Sequence, residues 1–146
     1  MEKGTGWMDN IPAYARIVAA ALEYGKAHGF EEGHARQVTR LALAIFDGLR
    51  ELHGLGKRPR LLLECAALLH DIGYTRENKK GHHKRSMELI LKASLSGISE
   101  MERIMVALVA MYHRKALPTV AHATYRLLDM RHRRTVDVLA ACLRVA

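Results

Sequence analysis

Apolar residues recur along this chain at three- and four-residue intervals over long stretches, the spacing of amphipathic helices rather than alternating strands. The first helix is announced by Asn10 with Pro12 just inside the start, runs through YARIVAAALEYGKA and stops near Gly29. A second begins around Glu31 and carries Val38, Leu41, Ile45, Leu49 and Leu52 on one stripe, with His34 one turn before Val38. Gly54, Gly56 and Pro59 mark a connecting loop. The third helix is LLLECAALLHD, with Gly73 placed to act as its C-terminal cap. Thr75 to Gly81 read as a polar, basic loop, and a fourth helix covers roughly His82 to Leu95. Ser99 and Glu102 form a capping box that opens a fifth helix through EMERIMVALVAMYH. Leu117-Pro118 ends that region. A short turn or helix near Ala121 to Leu128 leads into a last helix, RRTVDVLAACLRVA.

This pattern predicts an all-α fold, a compact bundle of about six to seven helices. No repeat, low-complexity tract or linker divides the 146 residues, so one domain is expected over 1–146, with an N-terminal helix in 1–30 and the core in 31–146. A hydrophobic fraction of 49% supplies a real core and excludes disorder. Cys65 and Cys142 both fall in apolar helical stretches, as buried thiols of a reducing compartment do. No stretch free of charge reaches membrane-spanning length, and MEKGTGWMDN lacks the apolar segment of a signal peptide. A cytoplasmic location is expected. The net charge of +8 suits a polyanionic partner and serves solubility equally well.

Histidines break the apolar stripes at telling places. Leu63, Ala66, Ala67 and His70 follow the i, i+3, i+4, i+7 spacing, and Val106, Val109, Ala110 and His113 repeat it. His82 precedes Ser86, Leu89 and Ala93 at matching intervals, and His34 begins the second helix's stripe. One histidine on an apolar face is ordinarily a hydrogen-bonded core residue. Four of them beside Asp71 are costly to bury unpaired, and a divalent cation relieves that cost. Adjacent helical residues point about 100° apart, so His70 and Asp71 can share a centre only at a last turn, where Gly73 frees the chain. His28, His53, His122 and His132 read as surface or loop residues.

His34 followed by AALLHDIGY resembles the HD superfamily of helical metal-dependent phosphohydrolases. More narrowly, HARQVTRLALAIFDGL, ECAALLHDIGY, GHHKRSMELI, YHRKALP and LAACLRVA, in that order over about 31–146, resemble the HD-like C-terminal domain of the exopolyphosphatase/guanosine-pentaphosphate phosphatase family. The resemblance implies an HD-domain bundle in which His34, His70 and Asp71 hold a metal, His70 and Asp71 being the catalytic pair. Two-metal versions add histidines from the next two helices, which His82 and His113 match, with Asp71 bridging. His82 is preferred to His83 because it stands four residues before the small Ser86. The superfamily's last ligand is an aspartate directly after the position matched by Ala146, where this sequence ends. Either further chain supplies it or the site has one carboxylate fewer. Asp137, about ten residues back, would lie ~15 Å away along the helix. The related exopolyphosphatases do their catalysis in preceding actin-like domains that these residues do not include, so that activity is not implied.

A mixed imidazole and carboxylate set suits one or two ions of manganese, iron, cobalt, nickel or zinc. Phosphate would need cations, for which Lys79, Lys80, Lys84, Arg85, Arg114 and Lys115 stand close in sequence to the proposed ligands; as a group they read equally well as a solvated basic loop. The run Arg131-His132-Arg133-Arg134 reads as a solvated face. No glycine-rich phosphate loop, Ser-His-Asp arrangement, CxxC motif or specific nucleic-acid motif is present. Two functions follow: a metal-dependent phosphohydrolase acting on a phosphorylated small molecule or nucleotide, or a non-catalytic regulatory module binding polyphosphate. Self-association into a homo-oligomer is left open.

Overall fold

A computed structural model describes residues 12–75, 77 and 79–146. Among them are eight helices and no strand: α1 (Ala13–Ala27), α2 (Glu32–Gly48), α3 (Arg50–His53), α4 (Lys57–Leu69), α5 (His82–Lys92), α6 (Glu100–Met111), α7 (Ala123–Arg126) and α8 (Met130–Val145). The all-α bundle expected from the sequence is the fold observed, with α3 and α7 as single turns. Asn10 lies outside the described residues. No helix among those described is long and apolar enough to cross a membrane.

The centre of the bundle is α4 against α6. From Leu61 to Leu69 only Glu64 of α4 escapes full burial, and Met105 to Met111 of α6 are all buried. A helix apolar on every side must be surrounded. Here α1, α2 and α8 also pack on α4, while α5 and α8 pack on α6. The remaining helices bury one stripe each. In α1 it is Ile17, Ala21 and Gly25.

Three local expectations need correction. On α2 the buried residues are Ala35, Val38, Thr39, Ala42 and Phe46, whereas Leu41 is 42% exposed and Leu49 and Leu52 also face outward. Small side chains, with the Thr39 hydroxyl donating to Ala35 O at 2.7 Å, let α2 approach α4 closely. The helix also breaks at Leu49, so no single phase extends to Leu52. Pro59 lies inside the first turn of α4, not in the loop before it. That turn has no intrahelical acceptor for an N–H, so proline costs nothing there. His53 is buried, not superficial: its Nε2 is 2.8 Å from Phe46 O, and Leu55 N donates to its Nδ1 at 2.9 Å.

Gly73 does not cap α4, which ends at Leu69 with His70 as its C-cap, and its φ is not positive. A Cβ at Gly73 would sit 2.5 Å from Ser86 N and 2.6 Å from His82 O. The glycine is required so that the turn after α4 can press directly on the start of α5. Gly73 N donates to Ser86 Oγ at 2.9 Å, and Arg85 Nε donates to Gly73 O at 2.9 Å, fastening the two together.

Candidate metal centre

Four helix ends meet at Asp71. His70 is the C-cap of α4 and Asp71 follows it; His113 comes just after the C-cap of α6; His82 opens α5. His34 is in the first turn of α2, where the Glu31 side chain accepts from Gly33 N and, at 2.7 Å, from His34 N. One carboxylate oxygen, Oδ2, is 3.3 Å from His34 Nε2 and 3.1 Å from His70 Nε2. The other, Oδ1, is 3.1 Å from His82 Nε2 and 3.5 Å from His113 Nε2. Two trios result, His34–His70–Asp71 and Asp71–His82–His113, each offering three ligand atoms within 4.8 Å of one another. Asp71 belongs to both.

The outer ring nitrogens fix which atom faces inward. His70 Nδ1 is 2.6 Å from Ala67 O, His113 Nδ1 is 2.5 Å from Ala110 O, and His82 Nδ1 is 3.1 Å from Lys79 O. A carbonyl only accepts, so each Nδ1 carries the proton, and in a neutral ring Nε2 then presents a lone pair. Lone pairs of three imidazoles and a carboxylate therefore converge. Asp71 Oδ1 is buried and makes no hydrogen bond, despite two ring nitrogens nearby. Such a set is repulsive when empty and satisfied by a cation, and backbone anchoring of the outer nitrogen is how metal-binding histidines are oriented.

Electrostatics point the same way. Burial pushes the Asp71 carboxyl up, but the hydrogen bond from His70 and the charges that His70, His113 and His82 carry when protonated at low pH outweigh it and hold the group far below the usual range. His113 is pulled down to about 4, chiefly by burial, against a raising contribution from Ala110 O. At neutral pH the carboxylate is ionised and the His113 imidazole neutral, which are the protonation states a metal needs.

The cation candidates disperse. Lys79, Lys80 and Lys84 are exposed and line none of the cavities around Asp71. Arg85 spans Gly73 O and Lys80 O as a strut. Lys115 is exposed, with φ 60, and its carbonyl accepts from Arg144 Nη2 at 2.6 Å. Arg114 alone of the six lines the cavity of about 350 Å³ that contains all five candidate ligands. Arg144 and Tyr74 line it too, and neither was singled out from sequence. Arg144 lies in the last turn of α8 and looks like an ordinary helix-end cation; only the fold brings it near Asp71. Asp137 faces elsewhere, accepting from Tyr125 Oη at 2.8 Å.

A family model described as Ppx/GppA phosphatase, domain III matches residues 19–146. The chain belongs to that family. The Ppx/GppA domain III match begins within α1, ahead of the segments that carried the resemblance in sequence, and includes Asp71 and the four histidines around it. The protein is thus an exopolyphosphatase-related, all-helical domain.

Proposed function

We propose that this domain III is an HD-type, metal-dependent phosphohydrolase acting on a small phosphorylated compound or nucleotide. The observation that carries this reading is the Asp71 carboxylate, with one oxygen toward each histidine pair and inward-facing Nε2 atoms around it. His34, His70 and Asp71 would hold one divalent ion, and Asp71, His82 and His113 a second, with manganese, iron, cobalt, nickel or zinc suiting the donors. When bound, such an ion supplies charge neutralisation for phosphate and acidifies a water. Arg114 would donate to phosphate oxygens beside the ligands. Arg144, donating to the carbonyls of Lys115 and Ala116, would hold the segment that carries Arg114. The net reaction adds water across the P–O ester bond, giving phosphate and the free alcohol.

The test is a phosphatase and phosphodiesterase panel on metal-loaded protein with His70→Ala and Asp71→Ala. Loss of turnover in both variants, with folding intact by circular dichroism, is expected. Equal activity in wild type and both variants would remove the assignment.

The family match supports a second reading, a non-catalytic regulatory module that binds polyphosphate. That module would bind polyphosphate without metal or turnover, and its affinity would fall as salt rises.

A further inference from the structure

A cavity of about 710 Å³ adjoins the candidate metal centre and has a different chemistry. The two cavities share His34, Asp71 and Tyr74, so they adjoin one another at the same carboxylate. Arg114 and Arg144 line the smaller one. No lysine or arginine is among the described residues lining the larger one, and its formally charged carboxylates are Glu31 and Asp71. Glu31 is already turned to the N–H groups that begin α2. The rings of Phe30 and Tyr74 and the buried side chains of Ala35 and Leu68 supply the apolar lining, with Thr75 and His28 as polar groups. Phe30 is seated against Gly25, where a Cβ would meet its ring at 2.7 Å, so it is fixed by the fold.

A chain of phosphates entering this cavity would place further negative charge beside Glu31 with no lysine or arginine among the described lining residues to offset it. An uncharged, flat ring system would bury apolar surface against Phe30 and Tyr74, and the volume is ample for one. We infer that this cavity receives the uncharged, ring-bearing half of a phosphate ester, as a nucleoside is, and that the substrate is an ester of that class rather than a polyphosphate. This rests on the phosphohydrolase reading for the position of the phosphate, which lies on the Arg114 side. The ring-bearing half extends past Tyr74 into the larger cavity.

Titration calorimetry of the full chain with adenosine 5′-monophosphate, ribose 5-phosphate and tripolyphosphate tests it, with manganese present. The monophosphate nucleotide should bind about tenfold or more tightly than ribose 5-phosphate, a factor that corresponds to ~1.4 kcal/mol. Phe30→Leu, which keeps an apolar contact on Gly25, should narrow that gap while leaving ribose 5-phosphate affinity unchanged, and Tyr74→Ala, which also borders the smaller cavity, should weaken the nucleotide more than ribose 5-phosphate. Equal affinities for the two sugar phosphates, or tripolyphosphate binding tightest, overturns the inference. Adenosine alone, in chelator, gives an arm that needs no metal: saturation-transfer NMR should show its ring protons in contact with the wild type and weakened contact in Tyr74→Ala. Adenosine binding in a protein that takes up no metal would uphold this cavity and remove the phosphohydrolase reading. Metal uptake with no adenosine contact would do the reverse.

Discussion

Asp71 is pulled two ways. Burial favours its neutral form, while the imidazoles around it favour the carboxylate and win. Because each oxygen faces a different trio, the charge of one residue serves both. Asp71→Asn keeps the shape and removes the charge, so titration of manganese into this variant should show affinity reduced by more than the roughly 10–100-fold typical of losing an outer partner. Affinity equal to wild type would mean the carboxylate is not a ligand. Much at this scale was readable in the sequence. His70 and His113 continue the apolar spacing of their helices, and His82 stands four residues before Ser86, both of which are buried. His34 was reached by a flawed route. Of its supposed stripe Val38 is buried but Leu41 faces outward, and the His34 side chain is half exposed; the Glu31 cap and the approach of α4 bring it to Asp71. Arg144 and Tyr74 gave no local signal, since their place depends on contacts distant in sequence.

At the level of elements, the corner between α4 and α5 sets the spacing between His70-Asp71 and His82. Gly73→Ala would force a Cβ to within 2.5 Å of backbone in α5, and backbone cannot rotate away as a side-chain end can. A destabilisation of about 1–3 kcal/mol by urea unfolding is expected, with weakened metal uptake, because the corner must open. A glycine in this context looks like a helix cap in sequence, and only the partner surface reveals the reason for it. The start of α6 was fully legible: Glu102 N donates to Ser99 Oγ and Ser99 N to Glu102 Oε1. Less visible was Arg58, whose guanidinium grips the same Glu102 at 2.6 and 2.8 Å from α4. Chiefly through that bond, with burial opposing and the Ser99 backbone assisting, the Glu102 carboxyl is held down to about 2 from 4.5. A carboxyl depressed in the folded state stabilises above its unfolded value and loses that contribution as pH falls toward the folded one. Glu102→Ala should therefore lower stability by about 1 kcal/mol at pH 7. Thermal melts should show wild type and variant converging as pH drops from about 4.5 toward 2. A constant gap across that range would contradict the assignment.

Across the whole molecule, a dry centre of α4 and α6 holds four helix ends in register around a polar point. The helical fold and the Ser99–Glu102 cap followed from periodicity and turn chemistry, because those are local rules. Which ends converge did not follow, because helix packing partners are chosen over long separations. The family match places the chain in Ppx/GppA domain III, and the metal-dependent chemistry proposed above rests on the convergence of lone pairs. A ligand that binds only the folded state stabilises it by mass action, by ~2.7 kcal/mol at one hundred times its dissociation constant. The most direct measurement is therefore a thermal melt of chelator-treated protein with and without saturating manganese, paired with element-resolved metal content, in wild type and Asp71→Ala. Bound metal and a raised melting temperature in the wild type, both lost in Asp71→Ala, is the predicted result. A wild type that takes up no metal and melts at the same temperature throughout would contradict it.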